Sequence, residues 1–179
     1  MTHTKRPSIG VIIRLESFGF VLIVIVGSLL HFTYEASGER WWVGVFSAMN
    51  ESVWEHLKMA FWPAVAWTLL QRSLMPSSKP NFWLAKALAL LLMPALIAVG
   101  YYAYTAALGR HLLILDIVLF CIAIAIGQLA AVAVQRSRMV LPYSTPIAKL
   151  TVAVEALAFS VLGFFPPELS IFIDPSVSL

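Results

Sequence analysis

Five apolar runs, each close to twenty residues long, dominate the sequence and limit what the chain can fold into. A helix needs about 20 apolar residues to cross roughly 30 Å of hydrocarbon, because each residue adds about 1.5 Å. Only 12% of the residues are charged, against about 25% in a typical soluble domain. The sequence therefore predicts an all-α fold, a polytopic membrane helical bundle forming a single domain over residues 1–179.

Short polar or proline-containing stretches separate the predicted spans. The spans run from about residue 11 to 34, 50 to 72, 82 to 104, 111 to 134 and 147 to 165. Asn50 is a good N-cap residue and is expected to begin the second span. Arg14 and Glu16 are expected to pair with each other or to extend toward the interface. The tail, residues 166–179, is too short to span and is expected to lie at the surface.

The distribution of lysine and arginine near the span ends predicts the orientation. The bases concentrate in the leader and in the second and fourth loops: Lys5, Arg6, Arg14, Arg72, Lys79, Lys86, Arg136, Arg138 and Lys149. The first and third loops have one arginine each, and the tail has only acids. Five spans with the N-terminus inside and the C-terminus outside satisfy every loop. We therefore expect a multi-pass membrane protein whose main partner is the lipid bilayer, with no nucleic-acid partner.

Histidines and glutamates collect at the predicted outer ends of the first two spans. His31 and Glu35 close the first span, whereas Glu51, Glu55 and His56 open the second. Residues four apart share a helix face, and the linker is short enough to make the two helix ends neighbours. Imidazole and carboxylate together suit zinc, iron, manganese or nickel. The sequence thus predicts a divalent metal site formed by these five side chains, with Glu51 or Glu55 as a candidate general base.

Further polar residues are possible additions to this site. Four of them lie at the predicted outer face or in the tail: Asn50, Asp116, Glu168 and Asp174. Glu155 lies near the predicted midplane of the fifth span. It is a candidate proton relay or cavity floor, or it hydrogen-bonds another helix, with Gln128 as the suggested partner.

Structural roles explain the same residues without a ligand. His31 and His56 are suited to hydrogen bonding at helix ends, and Glu51 is favoured near a helix N-terminus by the helix dipole. Glu55 is three residues before Lys58 and can form an ion pair with it.

Three blocks of the sequence resemble a family of uncharacterised bacterial multi-span membrane proteins. The blocks read HFTYEASG, NESVWEHLK and PPELSIFIDP, and together they make up 27 of the 179 residues. The resemblance carries over to residues in all three blocks: His31, Tyr34, Glu35, Asn50, Glu51, Trp54, Glu55, His56, Pro166, Pro167 and Asp174. The resemblance implies no activity. It implies that the protein lies in the bacterial cytoplasmic (inner) membrane and that the tail belongs to the site.

The chain departs from the family pattern at two places. Ala48 and Met49 replace a Pro-Val pair before the asparagine, and Glu168 stands where the family has a histidine. Glutamate at that position can keep a metal ligand or can mean that the position does not bind one.

Three functions fit this sequence. The first is a membrane protein that binds a divalent metal or other cation at an outward-facing site, in ion or proton-coupled solute transport. The second is a metal-dependent membrane hydrolase acting on a lipid or envelope substrate. The third is a structural or assembly partner in which the polar residues join helices.

Overall fold

The computed structural model describes residues 8–75, 81–137 and 141–175, and within these ranges the regular structure is helical. The helices are α1 (Ile9–Ala36), α2 (Trp41–Gly44), α3 (Val53–Leu74), α4 (Phe82–Leu108), α5 (Leu113–Arg136) and α6 (Ser144–Leu162), with a short 3₁₀ helix (Ser170–Phe172) in the tail. The predicted all-α bundle is confirmed. Lys5, Arg6, Lys79, Arg138 and the last four tail residues lie outside the described residues.

Four of the described helices are long and apolar enough to cross a membrane: α1, α4, α5 and α6. The chain is therefore a multi-pass membrane protein. Helix α3 is not among the four because it is more polar and carries Glu55, Lys58 and Arg72. It is also the most buried helix, with twelve of its 22 residues buried. A helix surrounded by protein does not need an apolar surface on every side.

Helix α3 forms the centre of the bundle. It packs against α1 and α4, while α5 lies against α1 and α4, and α6 lies against α4. Large side chains fill the interior between them: Phe61, Trp67, Leu90, Met93 and Ile124. Large apolar residues on the outer faces of α5 and α6 are exposed, as expected for side chains that contact lipid.

Helices α1 and α3 come into close contact one turn inside the predicted metal site. A Cβ atom on Gly27 would lie 2.4 Å from the carbonyl oxygen of Met59, so only glycine permits this approach. Gly27 is four residues before His31, and Met59 is three residues after His56. The glycine contact therefore sets the two histidine-bearing turns side by side.

Two local expectations differ from the structure. Helix α3 begins at Val53 and is capped by Ser52, whose hydroxyl accepts the Glu55 N–H at 3.4 Å, rather than by Asn50. Glu16 pairs with Lys86 and not with Arg14. Glu16 faces the bundle interior, where polar side chains of three other helices meet it, whereas Arg14 is exposed.

Candidate metal centre

Ser47 fixes the linker between α1 and α3 to the end of α1. Its buried hydroxyl accepts the Tyr34 N–H at 3.1 Å and donates to the carbonyl oxygen of Leu30. The attachment turns the following residues back over the last turns of α1. Sequence reasoning missed Ser47, because a serine in a loop gives no signal that its side chain will be buried.

An Asn50 turn then presents Glu51 just before α3 starts. The Asn50 side-chain oxygen accepts the Ser52 N–H at 2.9 Å, which bends the chain into the helix. Glu51 precedes the helix, so it does not share a helix face with Glu55. Its side chain is 55% exposed and points back toward the two histidines.

His31, Glu51 and His56 form the one group of three potential metal ligands found among the described residues. Glu51 Oε1 lies 3.9 Å from His31 Nε2, and Glu51 Oε2 lies 3.4 Å from His56 Nε2. One ligand atom from each residue lies within 4.8 Å of the others. Zinc bonds of 2.0–2.2 Å set tetrahedral ligand atoms about 3.3 Å apart. Small side-chain rotations would therefore bring all three onto one ion.

The orientation of the His56 ring suits metal binding. Its Nδ1 lies 2.9 Å from the carbonyl oxygen of Ser52, which can only accept a hydrogen bond. Nδ1 therefore carries the proton, and in the neutral ring Nε2 keeps its lone pair on the Glu51 side. Metal-binding histidines commonly donate their second ring nitrogen to a backbone carbonyl in this way. Without an ion, the group can instead form imidazolium–carboxylate pairs.

Glu55 forms the ion pair with Lys58 that its spacing in the sequence allowed. Its Oε2 accepts from Lys58 Nζ at 2.7 Å and from the Met49 N–H at 2.9 Å, and both side chains are buried. Lys58 Nζ also donates to the carbonyl oxygen of Gly44 at 2.9 Å. The i,i+3 ion pair is therefore present. It connects α2 and the loop of residues 45–52, which we call the Glu51 loop, to α3 beneath the histidines.

The other candidate residues lie apart from the three-residue group. Glu35 is exposed on the last turn of α1, and Glu168 is exposed in the tail. Asp116 accepts a short hydrogen bond from Tyr104 and lies 3.6 Å from His111 Nδ1. Glu155 has one buried carboxylate oxygen with no hydrogen-bond partner among the described residues. Its suggested partner, Gln128, donates instead to the backbone carbonyl of Glu16 at 3.3 Å.

The tail lies against the start of α3. Asp174 Oδ2 accepts the Glu51 N–H at 3.2 Å. The Trp54 ring contacts Phe159 of α6 and Phe172 of the 3₁₀ helix, and each ring centroid lies 4.7 Å from that of Trp54. Asp174 and Glu51 are 123 residues apart in sequence. The predicted topology placed the tail on the same side of the membrane as the site, and the sequence resemblance indicated that the tail belongs to it.

The fold and this group define a multi-pass helical membrane protein with a histidine–glutamate cluster at one end of the bundle. The chain belongs to a family of unknown function, DUF6512, whose model matches residues 12–178. The three blocks behind the sequence resemblance fall within this match. That the protein is bacterial is a prediction from the sequence resemblance. No curated protein and no solved structure matches the chain.

Proposed function

We propose that this membrane protein binds a divalent transition-metal ion through His31, Glu51 and His56. The observation that carries the proposal is the meeting of these three ligand atoms within 4.8 Å, although they come from two helices and a loop. Two imidazoles and one carboxylate are the ligand set of many catalytic zinc sites and of non-haem iron sites, and manganese and nickel are alternatives. The half-buried histidines and exposed Glu51 leave the group open to ions from solution.

We further propose that all five long helices cross the bilayer, with the N-terminus inside and the C-terminus outside. Helix α3 has 22 residues, or about 33 Å of helix, which is sufficient to span the hydrocarbon. This orientation places the metal group at the outer face of the bacterial cytoplasmic membrane. It also places the exposed Trp41 and Trp42 of α2 at the interface, where tryptophan is enriched.

Binding at the membrane surface is better supported than passage of the ion through the bundle. The buried Glu55–Lys58 pair closes the interior on the inner side of the histidines. Gly163 packs so tightly there that an added Cβ would lie 2.5 Å from Lys58 Nζ. An ion entering the bundle would have to displace both this contact and the lysine charge. Transport would therefore require another path or a large rearrangement.

A metal-dependent hydrolase is the second candidate function. Three protein ligands leave one tetrahedral position for water, which is typical of catalytic zinc sites and not of structural ones. Glu55 is held by Lys58 and the Met49 N–H, so it is a poor candidate for the general base. Cobalt substitution tests for the open position. If azide changes the visible spectrum of the cobalt protein, an exchangeable position is present.

Titration of purified, chelator-treated protein with zinc tests the proposed function directly. We expect one ion per chain and a higher melting temperature in its presence. His56→Ala removes one of the three proposed ligands and should weaken binding by more than the roughly 10- to 100-fold typical for loss of an outer-shell partner. His111→Ala is the matched control, since His111 also lies beside a carboxylate but outside the group. Binding should also weaken as the pH falls, because protons compete with the metal for imidazole. Equal melting with zinc and with chelator would contradict the proposal.

A further inference from the structure

The Glu51 loop is held by three hydrogen bonds to its backbone N–H groups. Glu55 accepts from Met49, Asn50 accepts from Ser52, and Asp174 accepts from Glu51 itself. The first two acceptors belong to the loop or to the start of α3. Asp174 belongs to the tail, and its hydrogen bond holds the backbone of Glu51, whose carboxylate is the proposed metal ligand.

Aromatic stacking fixes the position of the tail that brings Asp174 to the loop. Phe172 and Phe159 both pack against the Trp54 ring, at interplanar angles of 35° and 32°. Phe172 is two residues before Asp174, so the stack restricts where the Asp174 carboxylate can lie. Trp54 is also three residues after Glu51, which places the stack directly beside the ligand loop.

We propose that Asp174 is a positioning residue for Glu51, so that docking of the tail and binding of the metal are coupled. The inference rests on the proposed function. Glu51 precedes α3, so no helical hydrogen bonds orient its backbone, and the Asp174 bond supplies that constraint from outside the loop. Groups that orient a metal ligand commonly change affinity by about 10- to 100-fold when they are removed.

Coupling of this kind has to act in both directions. If the docked tail raises metal affinity by a given factor, the metal raises the stability of tail docking by the same factor. Metal should therefore slow hydrogen exchange of the tail backbone between residues 168 and 174. A tail that merely packs on the bundle would exchange at the same rate with and without metal.

Substitutions in the full-length protein separate the hydrogen bond from general tail packing. Asp174→Ala should lower zinc affinity about 10-fold or more. Asp174→Asn keeps an oxygen that accepts the Glu51 N–H and should recover most of that affinity. Phe172→Ala should also weaken binding, because it removes the stack without touching the group. Glu168→Gln is the control, since Glu168 is exposed in the same tail, and it should bind as wild type does.

The outcomes distinguish this inference from the proposed function. If the wild-type protein binds no metal, both fail. If the wild type binds zinc and Asp174→Ala binds equally well, the inference fails and the metal site stands. If Asp174→Asn loses as much affinity as Asp174→Ala, the carboxylate charge acts instead of the hydrogen bond, and the positioning role is overturned. Tail exchange that is independent of metal would also overturn the coupling.

Discussion

Lys86 Nζ lies 2.6 Å from Glu16 Oε2 inside the helical bundle, at the other end of α1 from His31. Glu16 Oε1 also accepts from Gln71 at 3.0 Å and from Gln135 at 2.7 Å. The four residues come from α1, α3, α4 and α5, and all are at least 98% buried. The network joins every helix of the bundle except α2 and α6, so we expect it to contribute strongly to the stability of the bundle.

Breaking the Glu16–Lys86 pair should destabilise the protein strongly. Lys86→Met leaves a buried carboxylate without its cation, which typically costs about 3–5 kcal/mol. The double variant Glu16→Gln/Lys86→Met should recover much of that loss, because no unpaired charge remains. Reversible unfolding in detergent, followed by circular dichroism, measures the free energies. Glu155→Gln is the matched control and should remain near wild-type stability, since no cation contacts Glu155 among the described residues. Additive losses in the double variant would show that the pair is not coupled.

Helix content and membrane class could be predicted because long apolar runs have one stable solution in a bilayer. The partner of Glu16 could not be predicted, because Lys86 is 70 residues away and Arg14 is two residues away. Sequence proximity favoured the wrong partner. Helix geometry decides the matter, since residues two apart point to different sides of a helix and only Glu16 faces the interior.

Reporter fusions at the two termini test the proposed orientation. A reporter that works only in the cytoplasm should be active when it is fused to the N-terminus. A reporter that works only outside the cytoplasm should be active when it is fused to the C-terminus. The reason is the excess of lysine and arginine at the proposed inner helix ends. A cytoplasmic C-terminus would mean an even number of crossings, so that one of the five long helices does not span the membrane. A reporter in the loop after α3 then identifies which helix fails to cross.

The spacing of residues in the sequence predicted only part of the group formed by His31, Glu51 and His56. His31 and His56 meet as the short linker implied, with ring centroids 5.2 Å apart. The expected face shared by Glu51 and Glu55 depended on a helix starting at Asn50, and Ser52 caps the helix instead. Because α3 starts at Val53, Glu51 lies outside the helix and does not occupy the helical position that a start at Asn50 would have given it. Glu51 therefore joins the histidines from a turn, while Glu55 points inward to Lys58.

Glu55→Gln should act on stability and not on metal recognition. The substitution leaves the buried Lys58 ammonium without a carboxylate, so the melting temperature should fall both with and without zinc. His56→Ala should behave oppositely, with a small effect in chelator and loss of the zinc-induced shift. Thermal melts of both variants, each with and without zinc, separate the two roles. If Glu55→Gln melts as wild type does in chelator but loses the zinc shift, Glu55 is a ligand after all.

Gly163→Ala should destabilise the protein by disturbing the buried pair from the α6 side. The added Cβ would lie 2.5 Å from Lys58 Nζ and 2.9 Å from Glu55 Oε1, and neither side chain has free space to move away. Overpacking of this kind costs about 1–3 kcal/mol. The backbone of Gly163 is in the right-handed helical region, so alanine adds no conformational strain of its own. Gly10→Ala is the control, because the nearest heavy atom to its added Cβ is 4.0 Å away. Unfolding of both variants in chelator measures the difference, and equal stability would show that the end of α6 moves away from the pair at little cost.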